Sequence, residues 1–281
     1  MRNNMAGKKG KIIAVDLGGT NLRVALVENN KILKYAKKNT PKEKEELLRE
    51  LYESISDLIS DNVIGIGMGL PGPLENGIIK NPPNIPLRYF NMKKELEKKF
   101  KKKVEIENDA KCVALAEAKL GCKKKNFVIF TFGTGIGGGI IINGELFTGK
   151  GFAGEFGAIV LNNGKSFEDV WKEIKTEIKE NFGEKILVKD LLKMNITKSN
   201  EILEKIVKCM GEGISSIMNV FDPEIVVLAG GIKENGKKFL EMIKKEAKKH
   251  SVLPRKTEIV WSKLEHPGTL GASLLISENI K

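Results

Sequence analysis

One local pattern, used twice, constrains this 281-residue chain more than any other feature in it. Residues 11–16 and 22–27 are short β-rich runs on either side of Leu17-Gly18-Gly19-Thr20-Asn21, which predicts a strand, a tight glycine turn and a returning strand. The grammar recurs as a strand over 127–132, a glycine loop over 133–139 and a returning strand over 140–143. The letters match loosely, but a repeated supersecondary unit of this kind points to two related α/β domains.

The rest of the pattern agrees. Thr40-Pro41-Lys42-Glu43 offers an N-cap, a proline at the first helical position and an acid at the third. Leu47, Leu48, Leu51, Ile55, Leu58 and Ile59 then recur on one helical face. Residues 63–70 (VIGIGMGL) read as a buried strand that Pro71-Gly72-Pro73 breaks, followed by a helix near 92–100, a strand at 103–107 and a helix over 109–120 stopped by Gly121. Beyond the second glycine loop come a mainly helical stretch over 166–221, strands at 225–229 and 258–261, and helices over 235–249 and 268–277. Strands interspersed with helices indicate an α/β fold.

Composition narrows the classes of partner. A charged fraction of 30% beside a hydrophobic fraction of 41% is that of a globular protein, and no apolar run approaches the ~20 residues of a membrane helix. The N-terminal stretch lacks the apolar segment and cleavage site of a signal peptide. Cys112, Cys122 and Cys209 are odd in number with no C-x-x-C pair, which predicts free thiols and a cytoplasmic location. The net charge of +12 raises nucleic acid as a partner, but the lysines are interleaved with glutamates, as in Lys93-Lys94-Glu95-Leu96-Glu97-Lys98. Arginine is scarce and aromatics do not accompany the basic runs, so neither nucleic acid nor membrane is expected as a partner.

Three phosphate-binding readings compete for the glycines. Gly144-x-x-x-x-Gly149-Lys150 and Gly231-x-x-x-x-Gly236-Lys237 approach a Walker loop, but Gly151 and Lys238 replace the Ser or Thr that would hold Mg²⁺. Gly133-x-Gly135-x-x-Gly138 satisfies the dinucleotide fingerprint, yet Gly139-Ile140-Ile141-Ile142 predicts a strand where that motif needs a helix. Glycine hairpins remain. Their glycines permit positive φ and let backbone N–H groups approach an anion. Asp16 is suited to orient a hydrated Mg²⁺, and Thr20 and Thr134 add hydroxyl donors. One such loop alone reads as an ordinary structural hairpin. Two in one chain, with a third glycine turn at Leu228-Ala229-Gly230-Gly231, favour nucleotide binding.

These residues resemble the ROK family (repressors, open reading frames and kinases) of the hexokinase/actin superfamily. Asp16-Leu17-Gly18-Gly19-Thr20-Asn21-Leu22-Arg23 and residues 131–139 resemble its two phosphate motifs. Gly69-Leu70-Pro71-Gly72-Pro73, Pro83-Asn84-Ile85 and Gly151-Phe152-Ala153-Gly154-Glu155-Phe156-Gly157 resemble its sugar-cleft segments. Glu107-Asn108-Asp109-Ala110 resembles its catalytic motif, and Asp222-Pro223-Glu224-Ile225-Val226-Val227-Leu228-Ala229-Gly230-Gly231 its adenosine segment.

The resemblance implies an α/β, two-domain actin-like ATPase (ribonuclease H-like) fold with an interdomain cleft. The expected domains are 1–108 and 109–265, with a helix over 266–281 returning to the first. It implies an ATP-dependent, Mg²⁺-assisted hexose kinase, glucose to glucose 6-phosphate being the first expectation. Kinases for N-acetylmannosamine, N-acetylglucosamine or fructose, and a non-catalytic sugar-sensing regulator, are the alternatives; inorganic polyphosphate is an alternative donor. Asp109 would be the general base. Pro71, Gly72, Asn84, Asn108, Glu155 and Glu168 would surround the sugar. Asp16, Gly18, Gly19, Thr20, Asn21, Thr134, Gly135, Gly230, Gly231 and Ile232 would hold the nucleotide. A homodimer is expected.

Two departures matter. The family's Gly-His and cysteine-rich zinc loop is replaced by Gly157-Ala158 and residues 159–164, so no structural zinc is expected. Repressor members carry an N-terminal winged-helix extension; with the first phosphate strand beginning at Lys11 no such extension is expected, which favours an enzyme.

Overall fold

The computed structural model describes residues 10–278 except Pro73, Asn76, Pro83, Lys185 and Asn195. The basic N-terminal stretch up to Lys9, Pro73 of the first cleft segment and Pro83 of the second therefore lie outside the described residues. The chain divides into two compact units. One runs up to Gly121 and includes Thr148–Phe152 and the chain from Leu264; the other is Cys122–Phe147 with Ala153–Lys263.

In the first unit the elements are β1 (Lys11–Leu17), β2 (Asn21–Glu28), β3 (Lys31–Asn39), α1 (Lys44–Ser56), β4 (Val63–Leu70), the two-residue strands β5 (Leu74–Glu75), β6 (Ile78–Ile79) and β7 (Phe90–Asn91), α2 (Met92–Phe100), β8 (Lys103–Asn108) and α3 (Asp109–Lys119). The main sheet has the order β3-β2-β1-β4-β8, with β1, β4 and β8 parallel and β2 and β3 antiparallel additions. Both faces of its centre are covered, so β1 and β4 are almost continuously buried. Leu47, Leu51 and Ile55 of α1 and Met92 and Leu96 of α2 share one core with Ile66, Met68 and Leu70 of β4. The alternate residues of β4 are Gly65, Gly67 and Gly69, and they clear the opposite face.

In the second unit come β9 (Phe127–Phe132), β10 (Ile136–Ile142), β11 (Glu145–Leu146), β12 (Val160–Asn162), β13 (Lys165–Ser166), α4 (Phe167–Phe182), α5 (Val188–Met194), α6 (Thr197–Phe221), β14 (Ile225–Gly230), α7 (Gly236–His250) and β15 (Glu258–Trp261). Its sheet order, β11-β10-β9-β14-β15, repeats that of the first, with β9, β14 and β15 parallel and β10 and β11 antiparallel. Its core gathers Phe130, Phe132, Phe156, Phe167 and Trp171, with Phe130 and Phe156 rings 4.7 Å apart. The last helix, α8 (Pro267–Ser277), belongs to the first unit. A Cβ at Gly67 would lie 1.8 Å from the Ala272 carbonyl oxygen of α8, and one at Gly271 would lie 1.7 Å from the Cys112 carbonyl of α3. This close α3–α8–β4 packing is why the first unit continues to Gly121, past the 108/109 boundary expected from sequence.

The structure corrects several local expectations. The first helix begins at Lys44 with Glu43, not Thr40, at the N-cap. Edge strand β3 carries no alternating apolar pattern and is exposed almost throughout, so its sequence gave no strand signal. Where the sequence predicted no regular element, β12 and β13 form a small hairpin closed by Asn163 and Gly164, both at positive φ as a two-residue turn requires.

Candidate active site

In the first unit three parallel strands end along one edge. Asp16 of β1 is in register with Gly69 of β4, which is in register with Glu107 of β8; one step further Leu70 pairs with Asn108. Open α/β sheets bind ligands outside this carboxyl edge. Arg23, opposite Asp16 on β2, donates from Nη1 to Asp16 Oδ2 at 3.0 Å. Burial raises the Asp16 carboxyl above its ordinary range, and the charge and hydrogen bond of Arg23, with a smaller pull from His266, offset this only in part. Mg²⁺ keeps several waters and takes one or two carboxylates besides substrate phosphates. A single, largely buried carboxylate, already holding Arg23 through one oxygen, fits contact with such a hydrated ion through water.

The first glycine turn is fixed from one side. Thr40 Oγ1 donates to the Gly18 carbonyl at 2.7 Å and Lys42 Nζ to the Gly19 carbonyl at 2.8 Å. In a trans peptide the N–H points opposite to the C=O, so these anchors turn the Gly19 and Thr20 N–H groups the other way. Gly18 N closes the turn on the Asn21 carbonyl at 2.9 Å. The expected reason for the glycines does not hold: Gly18, Gly19, Gly133 and Gly135 all lack positive φ. Close approach is the reason at Gly19, where a Cβ would lie 2.6 Å from Asn84 Cβ. That contact brings Asn84, itself left-handed at φ 67°, to the hairpin. Pro71 and Gly72 follow β4 at the same edge, Gly72 with φ 91°.

Asn108 and Asp109 occupy the step from β8 into α3. Asn108 Oδ1 caps the helix, accepting from Ala110 N at 3.0 Å and Lys111 N at 3.3 Å. Capping thus falls to Asn108, and Asp109 is the first helical residue, with Oδ1 accepting from its neighbour Ala110 N at 2.9 Å. Glu107 Oε1 accepts from Asn108 N at 2.8 Å and braces the turn. A Cβ at Gly69 would lie 3.5 Å from Asp109 Cα, so the glycine of β4 admits this turn beside Asp16.

In the second unit Gly133, Thr134 and Gly135 form the tip between β9 and β10. Gly230 of β14 lies in register with Phe132, and a Cβ on it would meet the Phe132 carbonyl at 2.2 Å. The Gly230-Gly231 bend and the second hairpin therefore share one edge. The Ile232 side chain enters the core, leaving only its backbone for a ligand. Glu168, in the first turn of α4, accepts from Ile136 N at 2.6 Å, and a Cβ at Gly135 would lie 2.8 Å from its Oε1. Glu168 thus braces the hairpin. Lys175 reaches the Thr134 carbonyl and Lys172 lies 3.4 Å from Glu168. Burial lowers the Lys175 ammonium below its ordinary range, with Glu168 opposing. Glu155 follows Gly154, whose φ of 96° and close approach to the Gly138 carbonyl, 2.8 Å from a Cβ placed there, seat its loop on β10.

Sequence reasoning passed over Arg23, Lys111, Lys172 and Lys175. Apart from the Lys172–Glu168 pair within α4, each contact joins residues from different elements, and only Arg23 stood within a quoted motif. Among the described residues no group of three His, Cys, Asp or Glu side chains is gathered as metal ligands would be. No helix among them is long and apolar enough to cross a membrane.

Comparison with known proteins follows the same lines. A glucokinase of Thermotoga maritima is 31% identical, the match covering 97% of this chain and 99% of that protein. A xylose repressor of Caldicellulosiruptor bescii is 27% identical over 87% of this chain and 71% of the repressor. The crystal structure of a ROK family glucokinase from Streptomyces griseus in complex with glucose and AMPPNP matches with a TM-score of 0.82 at 23% identity, covering 95% of this chain and 99% of that one. That likeness identifies the fold as the two-domain, actin-like α/β ATPase architecture. The family model described as ROK matches residues 12–279. The chain belongs to the ROK family.

Proposed function

We propose that the protein is an ATP-dependent sugar kinase that phosphorylates a hexose hydroxyl, with glucose, converted to glucose 6-phosphate, as the first candidate. The observation that carries this reading is the carboxyl edge of the first unit, where Asp16, the Gly18-Gly19 turn, Asn84, Asn108 and Asp109 are brought to one place. The glucokinase likeness supports it.

In this reading Asp109 accepts the proton of the attacking hydroxyl while its oxygen forms a bond to the γ-phosphorus of ATP and the bond to ADP breaks. General-base help of this kind contributes on the order of 10²–10⁴ in rate. Asn84, Asn108 and Glu155 pair with sugar hydroxyls, and an analogue lacking one would leave a polar group without its partner. The Asn108 cap uses Oδ1, so its Nδ2 is the group that donates. Glu168, as a sugar ligand, would have to act with an oxygen not already on Ile136 N. Thr20 and Asn21 of the first hairpin, Thr134 and Gly135 of the second, and the backbone of the Gly230-Gly231-Ile232 bend serve phosphates and adenosine. Mg²⁺, held through Asp16 and water, would neutralise phosphate charge.

The repressor likeness favours a second reading, a regulator that binds sugar without turnover. ADP release coupled to a colour change, run with Mg·ATP across hexoses and amino sugars, separates the two. The kinase reading expects sugar-stimulated ADP release on at least one of them. ADP release that ignores sugar, or none at all, contradicts it. Activity with polyphosphate in place of ATP would reassign the donor.

A further inference from the structure

Lys111 is buried, with 3% of its side chain exposed, in the first turn of α3 two residues beyond Asp109. A cation there faces the positive end of its own helix, and a buried ammonium persists only with partners. It has two. Nζ donates to the carbonyl of Gly151 and lies 3.7 Å from Glu107 Oε1. That same oxygen accepts from Asn108 N at 2.8 Å. A continuous line of polar contacts therefore joins Gly151, Lys111, Glu107 and the turn that carries Asp109.

Gly151 is not an ordinary neighbour. Thr148–Phe152 packs with the first unit although the chain on both sides of it, Cys122–Phe147 and Ala153–Lys263, belongs to the second. The segment is a short strap, bent by Gly151 N donating to the Thr148 carbonyl at 2.8 Å and by a Gly151 φ of 111°. Glu155 follows four residues later in the chain.

We infer that Lys111 is a positioning residue: it holds the Thr148–Phe152 strap to α3 and, through Glu107, fixes the turn that presents Asp109. Its effect on turnover rests on the kinase reading, whereas its hold on the strap does not. Lys111 does not touch substrate in this role. Its loss misplaces Asp109 and the loop leading to Glu155, and misplacement by about an ångström lowers such rates roughly a hundredfold.

The strap supplies an activity-independent readout, because Lys150 is exposed and trypsin cuts after lysine. The full-length protein and its Lys111→Met and Lys111→Gln variants are digested under native conditions, and cleavage at Lys150–Gly151 is timed by fragment mass. Kinetics for the best hexose and direct binding of ADP are measured alongside. Both variants are expected to be cut there several-fold faster, to lose kcat/KM for the sugar by roughly ten- to a hundredfold, and to bind ADP as the wild type does. Wild-type cleavage rates would overturn the strap contact. Faster cleavage with unchanged sugar kinetics would overturn the positioning role. Equal losses in ADP binding and sugar kinetics would mark a merely structural lysine. Should one variant fail to fold, the other decides. If the wild type turned over no sugar, the kinase reading would fail, and the cleavage rates would still decide whether Lys111 holds the strap.

Discussion

Asp16 meets two opposed demands: the sheet buries its carboxyl, and the proposed chemistry needs that carboxyl charged. Its folded-state pKa lies above the unfolded value because burial outweighs the Arg23 contact. The sign follows directly. Below the unfolded pKa the group is protonated in both states and burial exacts no charge penalty; as pH rises through the folded pKa the penalty appears and persists. Asp16→Asn is therefore expected to raise the melting temperature of the ligand-free protein at neutral pH, with the gain disappearing in acid, while kcat/KM for Mg·ATP falls. Thermal melts at several pH values check it; a variant less stable at neutral pH would contradict the burial argument. Asn108 carries both a cap and a proposed sugar contact. Asn108→Ala should lower stability by about 1 kcal/mol in urea unfolding and raise KM for the sugar. A cap alone would change stability and leave KM where it was. Asp16 and Asn108 could be picked out as candidate site residues because they sit inside short motifs. Lys111 was not, since nothing in Asp109-Ala110-Lys111 says that its ammonium will meet a carbonyl 40 residues away.

At the scale of elements, β4 does more than a buried apolar strand. Its glycines at every second position let α8 and α3 approach on one face while Ile66, Met68 and Leu70 fill the other core. Gly67→Ala places a methyl 1.8 Å from a backbone carbonyl that no side-chain rotation can move. The expected destabilisation is about 3 kcal/mol, the upper end of the usual overpacking cost, read as a lower urea midpoint; an unchanged midpoint would mean α8 is not held so closely. VIGIGMGL was readable as a strand, but the purpose of its glycines was not, because the partners of Gly65 and Gly67 lie on α8 near the end of the chain and those of Gly69 on α3. The α1 start was misplaced for a related reason. Thr40-Pro41-Lys42-Glu43 has the composition of a helix N-terminus, yet Thr40 and Lys42 instead hold the carbonyls of the first glycine turn. Local chemistry offered two uses for the same residues, and tertiary contact selected the second.

At the scale of the molecule, the duplication read from two glycine turns is carried by the whole topology. Each unit has the same five-strand order, and each glycine turn joins the first two strands of its sheet. Collinear motifs made the family legible from sequence. The return of the last helix was expected, but the bounds of the two units were less legible, because α3 stays with the first unit and the Thr148–Phe152 strap returns to it from within the second. The net charge of +12 belongs at this scale too. Many lysines are paired on the surface, as Lys198 and Lys205 are on Glu177, and such exposed pairs contribute little stability, roughly 0–1 kcal/mol. In the kinase reading the excess charge would instead help to attract a polyanionic substrate. kcat/KM for Mg·ATP is expected to fall as salt is raised, with kcat changing less; a salt-independent kcat/KM would argue against that attraction.

The most direct test of the proposed chemistry compares wild type with Asp109→Asn, mixed with Mg·ATP and glucose and followed by ³¹P NMR. The account predicts a sugar monophosphate signal at C6 growing with ADP in the wild type. In the variant, formation should be slower by on the order of 10²–10⁴ while glucose and ADP still bind. Undiminished sugar phosphate formation by Asp109→Asn would contradict it.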